Sequence, residues 1–232
     1  MTAASAATRA TTATAAGAAA AVPPGNAPAR GAIPSLQAAP DVTSLRCLTL
    51  PGWQDSGPAH WQTRWEALHG MRRVEQADWQ WPRRGDWTAR LDEVVLADAE
   101  SRMPIVLVAH SLGCHLVAAW AAHSRHAGRV RAALLVAPPD TEALDLPQLR
   151  TWRPMVRQAL PFAATVVASS DDPYCQLDRA RGLALDWGAE WLPAGVGGHL
   201  NADSGLGDWP AGLAILAALL RRAAARFPAP AA

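Results

Sequence analysis

The sequence contains no lysine; all 21 of its basic residues are arginine. Schiff-base chemistry and a phosphate-binding P-loop are excluded, because both rest on a lysine amine. Cysteine is scarce as well. Cys47, Cys114 and Cys175 are odd in number and show no CxxC spacing. That argues against a disulfide framework or a zinc site, and for a reducing, cytoplasmic setting. Charged residues make up only 18% of the chain, and the formal net charge is +1. Such a chain lacks the electrostatic footprint of a protein that binds nucleic acid or an anionic membrane surface. No run of about 20 strongly apolar residues occurs, so no membrane span is expected. Phenylalanine (2) and tyrosine (1) are rare, and the 11 tryptophans supply the aromatic area instead. Most of these are expected in the core or in pocket walls.

What is present divides into two unlike parts. Residues 1–44 hold 17 alanines, a single acid (Asp41) and no aromatic. That composition cannot offset its own ordering entropy, so the stretch is expected to be disordered. Its apolar piece, residues 15–22, follows only one arginine (Arg9) and has no leucine, so a cleaved leader is not expected. The other 188 residues are enough for one domain with a full core. That domain is expected over 45–227, with a short disordered tail at 228–232.

Within the domain, short apolar runs alternate with amphipathic stretches. Strands are expected at 45–50, 71–76 (weak), 104–109, 130–137, 163–168 and 189–192. Helices are expected at 61–68, 87–101, 112–123, 179–187 and 210–226, with a short one at 155–159. Alternation of this kind builds βαβ units, and hence an α/β three-layer sandwich with a mostly parallel central sheet. The 26 or so residues between the strands at 130–137 and 163–168 leave no room for a lid domain.

The segment that carries chemistry is Val108-Ala109-His110-Ser111-Leu112-Gly113-Cys114-His115. A small-x-Ser-x-Gly sequence between a buried strand and a helix is the context of a nucleophile elbow. The tight turn lifts the Ser111 hydroxyl beside the helix N-terminus, where the Leu112 N–H faces a developing oxyanion. A helix-capping serine is the plainer alternative. A hydroxyl needs a base, and the base an orienting acid, in the chain order Ser, Asp or Glu, His. Of seven histidines only His199, in Gly195-Val196-Gly197-Gly198-His199, follows a suitable acid loop. His110 is expected to be a packing or hydrogen-bonding neighbour. In Ser169-Ser170-Asp171-Asp172-Pro173, Asp172 is the preferred acid because it stands three residues beyond Ser169 and before a turn-fixing proline. Asp171 is then a solvated neighbour or turn residue, while Asp178 and Asp186 fall within a helix. A second oxyanion donor, the Trp53 N–H, is expected from the Pro51-Gly52-Trp53-Gln54 loop.

Together these segments resemble the small serine hydrolase family of the α/β-hydrolase superfamily, the YdeN and retinoblastoma-binding protein 9 group. The matching residues are Leu50-Pro51-Gly52-Trp53 with His60-Trp61, Asp78-Trp79, Pro82, Trp87 and Val108 to Gly113. Ala137-Pro138, Ser169 to Pro173, Gly198 to Asn201, Gly205 and Trp209-Pro210 complete them. The resemblance implies a compact, lidless α/β-hydrolase fold with a triad on Ser111, Asp172 and His199. The resemblance says little about the substrate; triad chemistry needs no metal or organic cofactor, the missing lid points to a small-molecule acyl substrate, and the oligomeric state stays open. Peptidase or thioesterase chemistry on the same triad, or a binding protein on a hydrolase fold, are the alternatives. The Leu-x-Cys-x-Glu motif of the family's animal member is broken here, because Thr49 stands where glutamate is needed.

Overall fold

The structure, a computed structural model, describes residues 45–97 and 103–226. The extension and tail expected to be disordered, 1–44 and 228–232, lie outside the described residues. So does the far end of the helix expected over 87–101.

Six strands form one sheet in the order β2-β1-β3-β4-β5-β6, and every neighbouring pair is parallel. They are β1 (Arg46–Leu50), β2 (Arg72–Arg73), β3 (Ile105–His110), β4 (Val130–Val136), β5 (Ala163–Ala168) and β6 (Glu190–Pro193). Five helices connect or flank them: α1 (Trp61–His69), α2 (Arg84–Leu96), α3 (Leu112–Ala121), α4 (Leu177–Asp186) and α5 (Pro210–Arg226). The expected fold class is borne out. No helix among the described residues is long and apolar enough to cross a membrane.

Strand alternation explains the layers. Along β3, Ile105, Leu107 and Ala109 face α2, α3 and α4, while Val106 and Val108 face α1 and α5. Both faces are therefore covered, which is why β3 reads as an unbroken apolar run and why all six of its residues are buried. Tryptophans fill both layers: Trp87, Trp120 and Trp152 on one side, Trp61, Trp65 and Trp209 on the other. Five of these six indole N–H groups, all but that of Trp209, find an oxygen, as in Trp61 Nε1 to the Leu200 carbonyl at 2.8 Å.

Two expectations fail. The strand expected at 71–76 shrinks to Arg72–Arg73, because pairing with β1 ends once Val74 N–H reaches the Thr49 carbonyl. The helix expected at 155–159 is absent, and a 3-10 turn at Pro147–Trp152 takes its place. Pro154 and Pro161 bracket the former segment, and its backbone bonds outward instead of to itself. Met155 N–H donates to Glu142, Leu160 N–H to the Trp187 carbonyl, and the Val156 carbonyl accepts from the Trp187 indole. Apolar periodicity cannot register such tertiary partners.

Strand order reverses between β1 and β3, since β2 lies on one side of β1 and the later strands on the other. The carboxyl ends of β1 and β3 thus border the crevice where open α/β sheets bind ligands.

Candidate active site

Ser111 follows β3 directly and holds φ 53°, ψ −124°, a conformation that L residues rarely adopt. The surroundings impose it. Its N–H donates to the Val136 carbonyl at 2.9 Å, extending the β3–β4 ladder, and its own carbonyl accepts from Cys114 N–H at 2.9 Å. Gly113 is required because β1 ends against it: a Cβ there would lie 2.2 Å from the Leu50 carbonyl oxygen. Gly52 is required for the converse reason, since its Cβ would lie 2.6 Å from Ser111 Cβ. The turn is tight because two loops share the space above the sheet.

His199 brings its Nε2 to 2.9 Å from Ser111 Oγ. Its Nδ1 faces both carboxylate oxygens of Asp172, at 3.0 and 2.9 Å. Nδ1 therefore carries the proton, and Nε2 is left to accept from the serine hydroxyl. The Asp172 carboxylate is only 2% exposed and also accepts from Tyr174 N–H at 2.9 Å. The Tyr174 ring lies edge-on to His199 at 4.5 Å. The structure thus brings together Ser111, His199 and Asp172, and leaves Asp178 and Asp186 on α4.

Asp171 is more than a solvated turn residue. Its Oδ1 accepts from Gly197 N–H at 2.8 Å and Gly198 N–H at 2.9 Å, tying down the loop that presents His199. These two bonds hold its carboxyl below the usual carboxylate range. Ser204 Oγ donates to the Gly197 carbonyl at 2.7 Å, and Ser169 Oγ donates to that of Gly198. Gly198 has φ +56°, the left-handed region that glycine enters without steric penalty. Adjacent carboxylates in the sequence signal a choice between rivals; here they divide the work.

Three further histidines are buried, two of them, His60 and His110, in the wall of the site. His110 Nε2–H donates to the His199 carbonyl at 2.9 Å, so it is the hydrogen-bonding neighbour expected. His60 caps α1, its Nδ1 accepting from Gln62 N–H at 3.2 Å. His115 Nε2–H donates to the Pro139 carbonyl at 2.7 Å. Burial keeps all three neutral: the His60 and His115 imidazoles are pushed down to about 4, and His110 well below its ordinary value.

A cavity of about 240 Å³ opens beside Ser111 and His199. The N–H groups of Trp53 and Leu112 have no hydrogen-bond acceptor among the described residues, and both residues line this cavity. Pro139, Leu144, Leu146 and Leu149 form an apolar wall that the sequence reading missed. They lie in the irregular segment after β4, whose Leu-x-Leu-x-x-Leu spacing signals no regular element. Among the described residues no arginine lines the cavity, and the one lining carboxylate, Asp55, is paired with Arg73.

A sequence profile described as serine hydrolase matches residues 47–218. No curated protein matches the sequence. Among solved structures, a YdeN-like hydrolase from Pectobacterium atrosepticum is 26% identical, with TM-score 0.65 over 77% of this chain and 92% of that one. The ydeN product of B. subtilis is 20% identical, with TM-score 0.56 over 76% and 98%. An esterase domain of a Rhodothermus marinus protein is 17% identical, with TM-score 0.58 over 79% and 90%. The last two likenesses are of fold alone.

Proposed function

We propose, for a chain that belongs to the serine hydrolase family, that it cleaves a small carboxylic ester through a triad of Ser111, His199 and Asp172. The observation that carries this reading is the continuous hydrogen-bond path from Asp172 through both ring nitrogens of His199 to Ser111 Oγ. Ser111 Oγ attacks the acyl carbonyl while His199 Nε2 takes its proton. Asp172 keeps Nδ1 protonated and stabilises the imidazolium. The Leu112 and Trp53 N–H groups receive the oxyanion, as donors already oriented and without a competing acceptor. The C–O bond then breaks, His199 returns the proton to the departing alcohol, and an acyl-serine remains. Water repeats the sequence, releasing the acid and restoring the serine. His60 and His110, held neutral by burial, do not compete with His199 for the proton in transit. The leucine wall favours an uncharged acyl group over an anionic one.

Fluorophosphonate labelling tests the reading. Wild type should label, Ser111→Ala should not, and an unlabelled but folded wild-type protein would overturn it. Matched ester, thioester and amide substrates then test the bond class, with the ester expected to turn over fastest.

A further inference from the structure

The loop after β1 contains an oddity that the proposed triad does not explain. Gln54 and Asp55 are consecutive, neither is glycine, and both lie in the left-handed region, at φ 68° and 67°. Such residues persist only where their surroundings over-determine them. Three bonds account for the backbone: Gln54 N–H to the Trp79 carbonyl at 3.0 Å, Asp55 N–H to that of Gly52 at 3.2 Å, and the Trp53 indole N–H to that of Gln80 at 2.9 Å. A fourth fixture is a side chain. Arg73 Nη1 donates to both oxygens of Asp55 at 2.9 Å.

Arg73 is itself anchored. Its Nε donates to the Glu66 carboxylate at 3.1 and 3.2 Å, and its Nη2 donates to Thr63 Oγ1 at 2.5 Å. Thr63 Oγ1 in turn donates to the Ser56 carbonyl at 2.7 Å. The guanidinium is 13% exposed, and it stands between two carboxylates, one on the loop and one on α1. This also gives the two-residue strand β2 a purpose: pairing Arg73 with Thr49 sets the guanidinium at this height beside β1.

We propose that Arg73 is a positioning residue for the oxyanion site, acting through Asp55 to hold the loop that aims the Trp53 N–H at the acyl oxygen. The inference rests on the hydrolase reading above. Without the guanidinium, Asp55 and Glu66 face each other as like charges, and the left-handed backbone loses the ion pair that supplements its three remaining bonds. The loop then relaxes and the Trp53 N–H moves. Misplacing one donor by about 1 Å is worth up to about 100-fold in rate. Arg73 touches no reacting atom, so the proton transfers of His199 are left alone.

The experiment compares wild type, Arg73→Gln, Asp55→Asn and the double variant in the full chain, using p-nitrophenyl butyrate and the rate of fluorophosphonate labelling. Arg73→Gln is expected to lower kcat and the labelling rate by about 10- to 100-fold. KM should change by less than about 3-fold, and the pH midpoint of the rate should stay unchanged. The double variant should be no slower than the slower single one, because both cut the same link. A purely structural role would lower the melting temperature while leaving kcat intact below it, and that outcome overturns the proposal. Additive losses, or a shifted pH midpoint, overturn it too. Should Arg73→Gln not fold, Asp55→Asn carries the test, since its amide tolerates the left-handed backbone but cannot form the ion pair; wild-type kcat in that variant would overturn the proposal. If wild type itself does not label, the hydrolase reading fails and this inference with it; if wild type labels and Arg73→Gln labels equally fast, this inference alone fails.

Discussion

Ser111 stands on a turn clamped between a buried strand and a buried helix, whereas His199 rides a loop beyond the last strand, in the company of exposed residues such as Val196. The first is held by exclusion. Gly52 and Gly113 leave no room for even one extra carbon, and Ala109, Leu112 and Cys114 belong to the core. The second is held by attachment. Asp171, Ser169 and Ser204 grip the backbone of residues 197 and 198, and His110 reaches across to the carbonyl of His199 itself. A site half packed and half stapled should fail in two different ways. Damage to the packed half should cost stability first, and damage to the stapled half should cost rate first.

The largest effect is expected from Asp172→Asn, which leaves both halves folded but permits the wrong imidazole tautomer. Turnover should fall by about 10⁴-fold, measured against Asp171→Asn, whose amide oxygen can still accept from Gly197 and Gly198. Equal, mild losses in the two variants would mean that the acid lies elsewhere. Next comes Gly113→Ala, a probe of the packed half. A Cβ 2.2 Å from a backbone oxygen cannot be relieved by a rotamer change, so we expect a loss of at least about 3 kcal/mol in urea unfolding. A near-native unfolding midpoint would sink the idea that packing shapes the turn. The stapled half is probed by Asp171→Ala: kcat should drop about 10- to 100-fold with a melting temperature close to wild type. A melting loss as large as that of Gly113→Ala would erase the distinction between the halves.

The last effect is a pH dependence of stability, spread gradually over a range of pH. His60 and His115 titrate near 4 when folded and near 6.5 when unfolded, and His110 lies well below its ordinary value. Between these values the unfolded chain binds more protons, so the neutral histidines' share of stability is complete above pH 6.5 and is lost as pH falls toward 4. His60 and His115 are each worth roughly 3 kcal/mol at most. Urea midpoints measured from pH 7 to pH 4 should decline across that window, and a flat profile would contradict the burial of these rings. Asp171 belongs to a lower range, because its carboxyl is held below the ordinary carboxylate value, so the stapled loop should be the later of the two to respond to acid.

How much of this was legible in the sequence follows the same division. The packed half could be read almost residue by residue, because a strand buried on both faces shows up as the unbroken run Ile105 to Ala109, and a tight turn as small residues around Ser111. Apolar patterning placed five of the six strands and five of the six expected helices, while the strand expected at 71–76 shrank to Arg72–Arg73. His199 and Asp172 were reachable through chain order. The roles of Asp171 and Arg73 were not, since each depends on a partner more than 15 residues away that no local pattern encodes. The leucine wall was hidden in the stretch after β4, where Pro139 and Pro147 interrupt any periodicity.

The sheet's borders have a consequence of their own. Among the described residues, β2 at one edge is two residues long and β6 at the other is four. An exposed edge is a template on which a second chain can add a strand, and its hazard grows with its length. Here each border offers only a few unpaired backbone groups, and Pro193 removes one donor from β6. The fold thus presents little backbone on which cross-β growth could begin.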